Sequence, residues 1–81
     1  MRQILSNPTQ LAEILTGRRR GRRLSQASVA VELGISQSRL STLEAHPETL
    51  TLDRLLLLAK LLGLEVVVQD ATETPDPKTE W

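Results

Sequence analysis

Between Ser25 and Glu44 the chain reads SQASVAVELGISQSRLSTLE, in which two Ser-Gln pairs, Ser25-Gln26 and Ser36-Gln37, flank a Gly34-Ile35 step. Serine is a favoured residue just before a helix, because its hydroxyl accepts a hydrogen bond from a backbone N–H that the helix leaves unpaired. Glycine takes the left-handed conformation that ends a helix at little cost. The spacing therefore predicts a helix over 26–33, a tight turn, and a helix over 37–45. In the first, Val29, Ala30 and Leu33 share a face; in the second, Leu40 and Leu43 do. Ile35 bridges the turn and belongs with the core.

The rest of the chain is arranged around these two helices. Asn7-Pro8-Thr9-Gln10 is a helix start, with Asn7 as cap, Pro8 at the first helical position and Gln10 able to reach back. Leu11, Ile14 and Leu15 follow on one face, and the helix is expected to fade near Gly17 and Gly21, which weaken helix propensity. Pro47 interrupts the chain after the Ser25–Glu44 stretch. Thr51 then caps a fourth helix, with Asp53 in its first turn where the helix dipole favours an acid. One apolar stripe there is Leu52, Leu55, Leu56, Ala59 and Leu62. Leu57, Leu58 and Leu61 lie off it, so the helix is apolar on a second side, which in so small a domain faces another copy of the chain. Glu65-Val66-Val67-Val68-Gln69 is β-branched and reads as a lone strand. A lone strand leaves backbone groups unpaired; the same strand of a second copy is the simplest partner, and extended coil on the fourth helix is the alternative. From Asp70 onward the chain is polar and Pro-bearing and reads as disordered. With no cysteine and a single aromatic, Trp81, the core of this 81-residue chain must be aliphatic and unstapled. The expected segments are a lead-in over 1–6, a helical domain over 7–64, a dimerisation strand over 65–70 and a tail over 71–81.

The outward face of the third helix holds Gln37, Ser38, Arg39 and Ser41, with Ser36 at its start. Gln suits adenine, Arg suits guanine, and Ser suits either, so this set matches base edges; an ordinary solvated helix surface is the plainer alternative. Gln26, at a helix N-terminus, is placed to hold a phosphate. The net charge is zero, yet residues 1–40 carry seven Arg against Glu13 and Glu32, and the second half is acidic by the same margin. Arg18, Arg19, Arg20, Arg22 and Arg23 form the densest basic run. They are read as phosphate contacts, which give affinity and salt dependence without sequence choice, against the alternative of a solvated basic loop. Glu44 is assigned a structural hydrogen bond or ion pair. His46, alone among histidines and without ligand neighbours, is not a metal site. No phosphate-binding Gly loop and no nucleophile paired with a base suggest an enzyme, so no cofactor, metal or small-molecule ligand is expected. No signal segment or run long enough to span a bilayer is visible, so a cytoplasmic, nucleoid-associated protein is expected.

Placed together, these residues resemble the Cro/C1 (Xre) helix-turn-helix family and, within it, the HipB-type antitoxins. The likeness rests on Asn7-Pro8-Thr9-Gln10-Leu11-Ala12, Gln26, Gly34-Ile35 followed by Gln37, Ser41 with Glu44, the Thr51-Leu52 helix start, the single strand and the terminal Glu80-Trp81. It implies an all-α, lambda-repressor-like helix-turn-helix bundle with one short C-terminal strand that pairs across a homodimer. It further implies binding to palindromic double-stranded operator DNA upstream of the chain's own operon, and a complex with a HipA-type Ser/Thr kinase toxin that the antitoxin neutralises. On that likeness, Gln26, Gln37, Ser38 and Ser41 face DNA, Val66, Val67 and Val68 join Leu57, Leu58 and Leu61 in dimerisation, and Trp81 engages the toxin. The Arg-rich 18–23 segment and Leu24, where an aromatic is common, depart from the pattern. A stand-alone repressor and a module that only neutralises a partner remain the alternatives.

Overall fold

Among the described residues, each α-helix begins at a side-chain cap that its own sequence supplies. In the computed structural model, which describes residues 1–71, four α-helices follow in order: α1 Pro8–Gly21, α2 Gln26–Leu33, α3 Gln37–Ala45 and α4 Leu52–Leu61, with a 3₁₀ turn at Pro47–Thr49. Asn7 Oδ1 accepts the Gln10 N–H at 3.0 Å, and Gln10 Oε1 accepts the N–H of Ser6 in return. Ser25 Oγ accepts the Ser28 N–H at 3.0 Å, Ser36 Oγ the Arg39 N–H at 3.1 Å, and Thr51 Oγ1 the Arg54 N–H at 3.2 Å. Each cap satisfies one donor that the first helical turn leaves open.

Three helices end alike. Leu24 N–H bonds the Arg19 carbonyl at 3.0 Å, Ile35 N–H that of Ala30 at 3.0 Å, and Leu64 N–H that of Ala59 at 2.8 Å. In each case the preceding residue is left-handed: Arg23 at φ 58°, Gly34 at 71° and Gly63 at 71°. This is the Schellman closure, which glycine enters without a Cβ penalty. Arg23 is the exception and carries that penalty. Arg23→Gly is therefore expected to raise stability by about 1 kcal/mol, read as a higher urea midpoint at unchanged slope.

The core is aliphatic, as the composition requires. Leu15, Val29, Ala30, Leu33, Leu40, Leu43, Leu58, Ala59 and Leu62 are buried, with Leu11, Leu24, Ile35, Leu50, Leu61 and Leu64 packed around them. α2 packs on α3 and on α4, and α1 packs on α3 and on the 3₁₀ turn. Pro47 ends α3 and is itself buried, so the break also closes one side of the core.

Several expectations need revision. α1 ends at Gly21, the far end of the stretch over which it was expected to fade, so Arg18, Arg19 and Arg20 lie on the helix, with Arg22 as its C-cap and Arg23 in the turn. On α4 the buried stripe is Leu58, Ala59 and Leu62, with Leu55 half-buried one turn earlier; Leu52 is 68% exposed and Leu56 46% exposed. Leu58, expected at an interface between copies, is 0% exposed inside the chain's own core and has no face left for a partner. Leu61 is half-buried against the same core, and Leu57 remains exposed. The stretch 64–71 forms no strand among the described residues. A strand is defined by the ladder it joins, and a single chain offers this segment no backbone to pair with; Val66, Val67 and Val68 stay exposed. Trp81 and the expected tail beyond residue 71 lie outside the described residues. No helix among the described residues is long and apolar enough to cross a membrane.

Candidate nucleic-acid interface

Two helix starts meet to form the surface of interest. The caps at Ser25 and Ser36 fix where α2 and α3 begin, so Gln26 and Gln37 each occupy a first helical position. Gln26, Gln37, Ser38 and Ser41 together line one open depression of about 510 Å³. Gln37, Ser38, Arg39 and Ser41 are exposed, and Gln26 is half-buried at its edge. The depression is lined by side chains that end in amides and hydroxyls, which donate and accept, and by no charged side chain. Such a surface has little to hold a metal ion or drive a proton transfer; it is suited to matching a pattern of donors and acceptors. Ser36, expected in the same set, uses its oxygen to cap α3, and its hydroxyl also lies 3.3 Å from that of Ser38. It orders the helix start while remaining exposed. His46 lies apart, exposed, with Nδ1 3.5 Å from Glu48 Oε2. A pair so exposed contributes little to stability.

Beneath the depression sits a buried ionic network. Arg19, 7% exposed, donates from Nε to Glu44 Oε2 at 2.7 Å and from Nη2 to Glu44 Oε1 at 3.2 Å. Its Nη1 donates to the Leu24 carbonyl at 3.0 Å. Gln26 Nε2 donates to Glu44 Oε1 at 3.0 Å. One carboxylate thus ties α1, the α1–α2 turn, α2 and α3 together, and the fork geometry of guanidinium on carboxylate makes the tie directional. Glu44 serves as the structural ion pair expected of it.

The arginine run divides by helical position. Arg18 and Arg22, four residues apart, share a face. Arg18 donates from Nε to the Leu62 carbonyl at 2.9 Å and from Nη2 to Gly63 at 3.3 Å, and Arg22 Nη1 donates to Leu62 at 3.0 Å. They cap the C-terminus of α4, where the last carbonyls carry partial negative charge. A Cβ at position 63 would run into the Arg22 guanidinium, so Gly63 answers both the backbone and this contact. Arg19 turns inward to Glu44. Only Arg20 and Arg23, three residues apart, are exposed with no side-chain hydrogen bond among the described residues. The expectation of five phosphate contacts therefore needs correction. Arg19 is buried and its three nitrogens are all engaged, so it has nothing to offer a phosphate. Arg18 and Arg22 keep their charge but hold α4. The sequence does contain the signal: if α1 is continued through Gly17, the i, i+4 and i, i+3 spacings separate the three faces.

Comparison with known proteins fits this arrangement. The model of a helix-turn-helix domain family matches residues 3–69. No curated protein matches the chain. Among solved structures, a HipA–HipB–O2–O3 complex matches with 28% identity and a TM-score of 0.77, covering 88% of this chain and 100% of the other. A HipB variant in complex with an O2 20-mer matches with 30% identity and a TM-score of 0.77, covering 89% and 100%. A HipB–O4 20-mer complex matches with 30% identity and a TM-score of 0.76, covering 88% and 100%.

Proposed function

The chain belongs to the helix-turn-helix domain family and is of the HipB type, and from that premise we propose that it is a DNA-binding repressor and the antitoxin of a toxin–antitoxin pair. In this reading it binds palindromic operators of its own operon as a homodimer and neutralises a HipA-type Ser/Thr kinase toxin. The observation that carries the DNA half is the depression lined by the amides and hydroxyls of Gln26, Gln37, Ser38 and Ser41 at the starts of α2 and α3. In a helix-turn-helix the second helix enters the major groove with its N-terminal residues at the base edges. α3 offers those residues, and Arg39 stands exposed beside them for a guanine or a phosphate. Arg20 and Arg23 supply phosphate affinity from the end of α1 and its turn.

Dimerisation is supported by what the single chain leaves uncovered. Leu52, Leu56 and Leu57 on α4 and Val66, Val67 and Val68 after it are exposed. An apolar groove of about 850 Å³ runs between the N-terminal segment and residues 64–69. Arg2 donates a side-chain hydrogen bond to Gln69 at one end of it. Pairing of the 65–69 segment with that of a second copy would satisfy its backbone and set two α3 helices about 34 Å apart, one turn of DNA. The toxin half is supported by the likeness to a chain solved together with HipA; Trp81 remains the proposed anchor on the tail. The protein so described works in the cytoplasm on nucleoid DNA and performs no catalysis.

The test is binding to the DNA upstream of the chain's own reading frame. The expected result is a shifted complex whose affinity falls by about 10³-fold between ~50 and ~200 mM salt. Gln37→Ala with Ser41→Ala is expected to abolish preference for that DNA over random duplex while leaving low-salt nonspecific binding in place. Equal loss on all sequences would reduce these residues to positioning contacts. No complex at low salt with any upstream palindrome would remove the repressor reading. Pull-down of a kinase encoded next to the chain, with and without Trp81, tests the antitoxin half. A chain that binds the operator but no such kinase is a stand-alone repressor.

A further inference from the structure

The last turn of α1 and its cap touch both parts that a paired reader of DNA must hold in register. Arg19 ties this turn to α3 through Glu44, by hydrogen bonds of 2.7 and 3.2 Å. Arg18 and Arg22 tie it to the end of α4, where residues 64–69 begin. We propose that Arg18 and Arg22 are positioning residues: they fix the direction in which residues 64–69 leave the domain relative to α3, and so set the spacing between half-sites that the dimer accepts. This rests on the reading of the chain as a DNA-binding dimer joined through residues 65–69.

Apolar packing alone does not fix that direction. Leu58 and Leu62 seat α4 in the core, but the hydrophobic effect is non-directional, and packed helices slide a little on one another. Hydrogen bonds from a guanidinium fork are directional. The Leu62 carbonyl accepts from Arg18 Nε at 2.9 Å and from Arg22 Nη1 at 3.0 Å, and the Gly63 carbonyl accepts from Arg18 Nη2 at 3.3 Å. Two consecutive carbonyls are thus held by two side chains four residues apart on one face of α1. They sit at the point of exit. Gly63 is left-handed at φ 71°, and the Leu64 N–H closes on the Ala59 carbonyl at 2.8 Å, so the chain changes direction there and enters the segment assigned to pairing. In a dimer joined through that segment, any rotation at the exit moves the two α3 helices relative to the two-fold axis. Each base pair of spacing turns the DNA by about a tenth of a turn. A fixed exit therefore accepts one spacing, and a loose exit accepts several.

The experiment uses the full chain and duplexes carrying two inverted copies of the half-site that it selects best from a randomised pool. The spacer between the copies is varied one base pair at a time. The wild-type chain is expected to bind best at one spacing and to weaken on either side. Arg22→Met, at an exposed position, is expected to reduce the preference for that spacing over its neighbours by about fivefold, the worth of one hydrogen bond. Its affinity for a single half-site and its salt slope should stay close to the wild-type values. Arg18→Met with Arg22→Met removes all three bonds and should flatten the profile further. Should that pair fail to fold, Gly63→Asn reaches the contact from the other side. Asparagine tolerates the left-handed backbone, but its Cβ displaces the Arg22 guanidinium, so it should reproduce the effect of Arg22→Met. A folded Arg22→Met chain with the wild-type spacing profile overturns the proposal. So does one that loses affinity equally at every spacing while its salt slope falls by about one, the mark of a lost phosphate contact. A wild-type chain that binds single half-sites with no preferred spacing overturns the dimer reading instead, and one that selects nothing from the pool overturns the DNA reading.

Discussion

Glu44→Ala is expected to cost about 3–5 kcal/mol of folding stability, the loss seen when one partner of a buried ion pair is removed. The variant leaves the Arg19 guanidinium buried, with Nε and Nη2 facing the vacated carboxylate site and only the Leu24 carbonyl still bonded. The whole domain is stable by only about 5–15 kcal/mol, so the variant should be partly unfolded at moderate temperature. The pair itself is a different matter. Removing both charges, in Arg19→Met with Glu44→Met, is expected to be near neutral, because the cost of desolvating two ions offsets most of their attraction. Urea denaturation of the two variants side by side separates these effects. If Glu44→Ala costs less than about 1 kcal/mol, water reaches the pair and the network has the worth of a surface contact.

This network also marks where sequence reading reaches and where it stops. The caps at Asn7, Ser25, Ser36 and Thr51 all fall at the residues the sequence indicates, because a cap bonds a backbone N–H three residues away and both partners lie in one short window. The α3 face was legible for the same reason: Leu40 and Leu43 turn inward, which leaves Gln37, Ser38 and Ser41 outside. The arginine run was legible only as separate helical faces, not in what each face meets. Its partners are 25 residues away for Arg19, 40 for Arg22 and 44 for Arg18, and a charge run looks the same whether it meets water, phosphate or its own helix ends. Glu44 could be assigned a structural bond, but not its partners, since its link to Gln26 spans 18 residues. The valine run at 66–68 was legible in only one respect: β propensity describes a surface ready to pair, and pairing requires the second strand.

The leucine run of α4 posed a further problem, and Leu58→Ala addresses it. When nearly every position is leucine, two stripes satisfy helical periodicity, and the sequence does not choose between Leu52-Leu55-Leu56-Ala59-Leu62 and Leu55-Leu58-Ala59-Leu62. The fold selects the second: Leu58 is 0% exposed, while Leu52 is 68% and Leu56 46% exposed. Leu58→Ala is thus expected to cost about 2–5 kcal/mol, combining lost transfer energy with the cavity left among Leu15, Val29, Leu33 and Leu40. That loss should be the same at every protein concentration, because it arises within one chain. Leu57→Ala is expected to behave differently. In dilute solution it should change stability by about 0.5 kcal/mol or less. If α4 does meet a second copy, its deficit should grow with concentration, since subunit binding stabilises the folded state by mass action. Thermal unfolding of the two variants across a hundredfold dilution series reads both effects. A concentration-dependent loss in Leu58→Ala with a constant loss in Leu57→Ala would reverse the two faces of α4 and, with them, the packing of α4 against α2.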